Sequence, residues 1–237
     1  MKFIKCSALC IVFFLSVGLP MAHAEPFMDW YKKIGAVEAA KGFPIPKEDI
    51  KVLLKDAEPL IKRGSDDPRF YLQMGAFVKQ LRRYYYEESK SLGTYDLNSP
   101  ESQALIKEYQ SYYRKALDAD DKPDAPAHFE AYTLSAIADD VLAAPDVKER
   151  AYRKAIALAQ AGKANIPNET YEYTTYQFLL ESYSNQKNPD KYLETLNEMI
   201  DRFGSSEELE GYKTKVEVVI EKRDRKAALK ASKVVAK

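Results

Sequence analysis

Apolar residues recur three and four positions apart along most of this chain, the spacing that lines one face of an α-helix. Runs that alternate Val, Ile or Thr with polar residues, the mark of strands, are missing. Val216, Val218, Val219 and Ile220 come closest, and they sit inside a charged helical pattern. Glycine and proline fall mostly at breaks: Gly42, Pro44 and Pro46, then Gly64, Gly93, Pro123, Pro126, Pro145, Pro167, Pro189 and Gly204. Helix starts are chemically marked. Ser99-Pro100 and Asn188-Pro189 each set a capping side chain before a proline whose fixed φ suits the first helical position. Ser205-x-x-Glu208 reads as a capping box, with Gly204 as the preceding stop. The pattern predicts about nine helices and no sheet, an all-α fold.

Within this helical pattern a segment repeats. Tyr112-Tyr113-Arg114-Lys115-Ala116-Leu117 returns as Ala151-Tyr152-Arg153-Lys154-Ala155-Ile156, with the anchoring tyrosines Tyr113 and Tyr152 39 residues apart. Tyr192, Leu196 and Met199 give a looser third copy. Upstream of each lies a helix with its own spacing: Tyr71-x-x-Met74-Gly75-x-x-Val78, Ala131-x-x-Leu134-Ser135-x-x-Ala138, and Tyr176-x-x-Leu179-Leu180-x-x-Tyr183. A large residue, a large–small pair and a large residue, followed by a helix with an aromatic and an alanine, resemble the tetratricopeptide repeat (TPR) family over residues 67–204.

The resemblance implies an α-hairpin solenoid of about three hairpins across residues 65–204. In it a small residue lets the first helix of a hairpin approach the second. It also implies that a partner lies along the concave face of the first helices. Counted from the anchors, that face receives Arg69, Leu72, Ala76 and Lys79, then Phe129, Tyr132, Ala136 and Asp139, then Thr174, Gln177, Glu181 and Asn185. Such a groove suits an extended peptide or a partner helix, with Phe129 and Tyr132 as anchors. It lacks the Lys/Asn set with which some TPR domains hold a C-terminal carboxylate.

The ends carry different information. Lys2 and Lys5, an apolar stretch over residues 8–19 and Ala22-His23-Ala24 read as a signal peptide over residues 1–24. A secreted protein, in the bacterial periplasm, is expected. Residues 25–64 read as a helix pair capping the array, and residues 205–237 as a long C-terminal helix with a basic tail. From residue 222 onward there are seven basic residues and one acid, Asp224. The tail is expected to be solvated, with peripheral contact to an anionic membrane as the sharper reading.

Removing the leader takes away both cysteines (Cys6, Cys10) and one of the two histidines, leaving His128. Disulfides, thiol catalysis and Cys/His zinc sites are thereby excluded from the exported chain. Of 36 basic residues two are in the leader, so 34 face 36 acids, a balance that argues against nucleic-acid binding. Asp118, Asp120, Asp121 and Asp124 crowd one turn as calcium ligands would. The sixth position counted from Asp118 is Pro123, however, where a calcium loop needs glycine. The turn is therefore expected to end one helix, with Asp124 capping the next. His128 lacks a second imidazole, and carboxylate pairs cannot be promoted from so many acids. Tyrosine is in excess, at 17 residues; Tyr84, Tyr85 and Tyr86 point about 100° apart on a helix, so at least one must meet solvent or another element.

These readings converge on a non-enzymatic helical-repeat adaptor. It would need no cofactor and no structural metal, and would bind a protein or peptide partner of the cell envelope. An inhibitor or immunity protein that neutralises a secreted hydrolase or toxin is the alternative, and a carboxylate-dependent enzyme the third.

Overall fold

Nine α-helices and no strand make up the described residues of the computed structural model, which are 25–64, 67–92, 99–164 and 168–235. They are α1 (Glu25–Lys41), α2 (Lys47–Arg63), α3 (Pro68–Ser91), α4 (Pro100–Asp120), α5 (Ala131–Ala138), α6 (Pro145–Gln160), α7 (Asn168–Asn185), α8 (Pro189–Phe203) and α9 (Glu207–Val235). The expected signal peptide at residues 1–24 lies outside the described residues.

The marked starts behave as capping chemistry requires. Ser99 accepts the Ser102 N–H at 3.2 Å, and Asn188 accepts the Lys191 N–H at 3.3 Å. Asp67 does the same for Arg69 at 3.0 Å, ahead of Pro68. The last helix is capped one residue later than its motif suggests. Ser206, rather than Ser205, accepts the Leu209 N–H at 3.2 Å, while Ser205 donates to Glu210 at 2.7 Å. Asp124 caps no helix: α5 begins only at Ala131, with Glu130 before it. Gly64 and Gly204 stop α2 and α8 with φ of +74° and +89°, backbone that L side chains rarely adopt.

Packing runs mainly between helices adjacent in sequence, except that α4 packs on α6 rather than on the short α5. The repeated positions are the core. Tyr71, Met74, Val78, Leu134, Ala138, Tyr176, Leu179, Leu180 and Tyr183 are buried, and so are Tyr113, Ala116, Tyr152, Ala155, Leu196 and Met199. Gly75 explains one small position directly. A Cβ there would lie 2.6 Å from Cε1 of Tyr113, so only glycine lets α3 press on α4. At the N-terminal end, Trp30 donates to the Leu53 carbonyl at 2.9 Å and meets Phe70 edge-on, centroids 5.2 Å apart. The three consecutive tyrosines divide their work. Tyr84 donates to the Ile45 carbonyl at 2.9 Å, the Tyr85 ring lies under the Lys47 ammonium at 4.0 Å, and Tyr86 lies near Lys90 of its own helix.

Charge ties the helices across these packed faces. The acidic turn after α4 is held by α6. Arg150 donates to Asp118 at 2.6 Å and to Asp121 at 3.0 Å, and Lys154 bonds Asp121 at 2.5 Å and also pairs with the buried Asp120. Arg114 takes Asp146 with two bonds, of 2.7 and 2.9 Å. On its other side α6 reaches α8, where Lys191 pairs with Glu149 at 2.6 Å and Arg153 donates to Thr195 at 3.0 Å and to Glu198. Arg202 of α8 forks onto the fully buried Glu172 of α7 at 2.9 and 3.1 Å. Arg223 joins α9 to Asp190 at the start of α8.

Candidate partner-binding site

Helix α7 packs mainly on α6 and touches α5 through its first turn. There the Tyr171 phenol donates to the Ala131 carbonyl at 2.8 Å and lies 2.5 Å from the Ser135 hydroxyl. Farther along, between α6 and α7 and beside the end of α5, lies an open cleft of about 370 Å³. Its wall comprises Asp139, Pro145, Lys148, Tyr152, Phe178, Glu181, Ser182, Asn185 and Gln186. Helical spacing places Phe178, Glu181 and Asn185 on one side of α7, three and four residues apart. The cleft floor is preorganised. Tyr152 donates its O–H to Asp139 Oδ1 at 2.6 Å, and Lys148 donates to the Ala138 carbonyl at 2.9 Å, closing the end of α5. Burial, then the bond to Asp139 and its negative charge, push the Tyr152 phenol far above its ordinary range, so it remains a donor. The Phe178 ring stacks on that phenol, centroids 6.4 Å apart, and stays 43% exposed.

Of the residues expected on the binding face, Asp139, Glu181 and Asn185 come together in this cleft. Tyr132 lies on the same short helix and is 63% exposed, and Gln177 is exposed beside Phe178 on α7. The others are used elsewhere. Phe129 is the clearest correction: it precedes α5, its ring is buried in the core, and its N–H donates to Asp120 at 2.5 Å. Phe129 lies outside the helix that the counting assumes, and its buried ring cannot be a groove anchor. Arg69 folds back onto Asp67 with bonds of 2.9 Å, Lys79 pairs with Asp140, and Leu72 packs against the core. Sequence reasoning missed the other six wall residues, Pro145, Lys148, Tyr152, Phe178, Ser182 and Gln186. Phe178 was legible as the exposed neighbour of Gln177. Tyr152 reads from the sequence only as a core anchor, and nothing there marks Lys148.

The other candidates resolve into structure. Asp118, Asp120 and Asp121 are engaged by Arg150 and Lys154, and among the described residues no three His, Cys, Asp or Glu side chains are grouped to hold a metal. His128 is half exposed, with Nδ1 3.0 Å from the Asp120 carbonyl oxygen. No helix among the described residues is long and apolar enough to cross a membrane. No protein-family model matches this chain, and no curated protein or solved structure matches it either.

Proposed function

We propose that the chain is a non-enzymatic scaffold, a TPR-like array of the hairpins α3/α4, α5/α6 and α7/α8. It is exported to the bacterial periplasm and holds a partner protein of the cell envelope along the face made by α5, α6 and α7. The α1/α2 pair caps one end of the array and α9 closes the other. The observation that carries this reading is the cleft between α6 and α7 at the end of α5. There Asp139, Glu181 and Asn185 gather next to an aromatic ring left 43% exposed, and Tyr132, on α5 before Asp139, is 63% exposed. Exposed aromatics next to fixed polar groups are what interface anchors look like, since they bring large area with few rotors to freeze. Burial of every large residue in the three first-helix repeat patterns supports the hairpin array.

The test is affinity capture from envelope extract, comparing the protein with Tyr132→Ala/Phe178→Ala and with a control, Val52→Ser, on the distant helix α2. Circular dichroism establishes that each variant is folded. A specific partner should stay bound to the protein and to the control and be lost from the double variant. Equal retention by all three, or no partner retained by any, would overturn the reading.

A further inference from the structure

Deepening the scaffold reading, on which it rests, we infer that the cleft selects a guanidinium group, an arginine side chain of the partner. The wall has a planar aromatic surface. Phe178 shows 43% of itself to solvent and is backed by Tyr152 at an interplanar angle of 27°, so the ring is held for a flat cation to stack on it. Two carboxylates share the same space, Asp139 from the end of α5 and Glu181 from α7. The orientation of Asp139 is set by the Tyr152 O–H at 2.6 Å, so its charge is already aimed before any ligand arrives.

One cation stands in the wall, Lys148, and its ammonium is given to the Ala138 carbonyl at 2.9 Å. The cleft therefore offers two carboxylates against a single ammonium that is already engaged. An anionic ligand would face both carboxylates. An ammonium would gain their charge but not the flat stacking. A guanidinium gains both, since its planar fork can lie on Phe178 while its N–H groups reach Glu181.

The experiment titrates isotopically labelled protein with Nα-acetyl-arginine amide, followed by backbone amide resonances. Nα-acetyl-citrulline amide, of the same shape without the charge, and Nα-acetyl-lysine amide serve as comparisons. The arginine compound should shift the amides of Asp139, Phe178, Glu181 and Asn185 saturably, with a dissociation constant on the order of 1 mM. Citrulline should bind about tenfold more weakly, with lysine in between. Glu181→Gln and Phe178→Ala should each weaken arginine by about fivefold or more, and added salt should weaken it further. Equal binding of citrulline, shifts scattered over the acidic first turn of α9, or no saturable shift at all would overturn the inference.

The two readings fail separately. If the partner is captured through Tyr132 and Phe178 but citrulline matches arginine, the scaffold stands and the guanidinium specificity falls. If arginine saturates the cleft while capture ignores both aromatics, the cleft specificity stands and the scaffold face falls.

Discussion

At Gly75 one hydrogen atom decides how closely two helices approach. A methyl group there would sit 2.6 and 2.7 Å from the Tyr113 ring, which is itself buried and packed 4.3 Å from the Tyr109 ring. Neither ring has room to yield. Gly75→Ala should destabilise the protein by about 1–3 kcal/mol in urea unfolding, despite alanine's better helix propensity; a neutral or stabilising result would mean α3 and α4 can move apart. This small position was legible because the large–small pattern repeats, and so was the burial of its large neighbours. Phe129 was not legible in the same way. Helical counting places it on the concave binding face, but its backbone is not helical and its ring fills the core. Phe129→Ala should therefore cost about 3–5 kcal/mol of stability, read by chemical denaturation, rather than a partner contact. At the cleft, counting finds Glu181 and Asn185 on α7 and Asp139 where α5 ends. Tyr152 and Lys148 act through a hydroxyl and an ammonium at the tips of inward and lateral side chains, which periodicity does not see.

Helices end where side chains can serve the backbone, and the ends show what local chemistry can and cannot reveal. Ser99 and Asn188 cap as their prolines announce, whereas two adjacent serines at 205 and 206 are equally good caps, and the turn geometry selects the second. The shortness of α5, Ala131–Ala138, was hidden because residues 121–130 include no strong breaker after Pro126. The acidic exit of α4 was legible as a stop, but its partners on α6, some 30 residues away, were not. That lock has a pH signature. Burial raises the Asp121 carboxyl, but the hydrogen bonds and charges of Lys154 and Arg150 outweigh it and hold it below the ordinary range. The hydrogen bond from Arg114 does the same for Asp146, against a smaller opposing burial. Both carboxyls bind protons less readily folded than unfolded. Their contribution is thus full above the ordinary aspartate value of about 4, and is lost as pH falls below it. The melting temperature should drop as pH falls below about 4, and the drop should be shallower in Asp121→Asn/Asp146→Asn. An unchanged acid slope in the double variant would show that these pairs are screened out at the surface.

Across the whole molecule, α6 is the shared support. It packs on α4, α5 and α7 and sends Arg153 and Glu149 to α8, so helices far apart in sequence lean on one element. Helices α1 and α9 each pack mainly on one neighbour, at the two ends of this succession of contacts, so opening should begin there. Here the middle should be the last to open. Native-state hydrogen exchange is expected to find the slowest amides in α6 and faster ones in α1 and in α9 beyond Arg223; the opposite order would contradict a central support. The all-helical class and the succession of elements were legible throughout, because one period dominates the chain. The cross-links through α6 were not, since ion pairs between remote helices leave no periodic trace. One proportion of the fold bears on how load would move through it. The 29 residues of α9 lie against the 15 of α8, and residues 224–235 carry the helix roughly 18 Å past the Arg223–Asp190 pair. That makes α9 a lever with its fulcrum at Asp190. A sideways pull on its basic tip becomes a torque on α8, and through Arg202 and Glu172 it strains α7, the wall that carries Phe178 and Glu181.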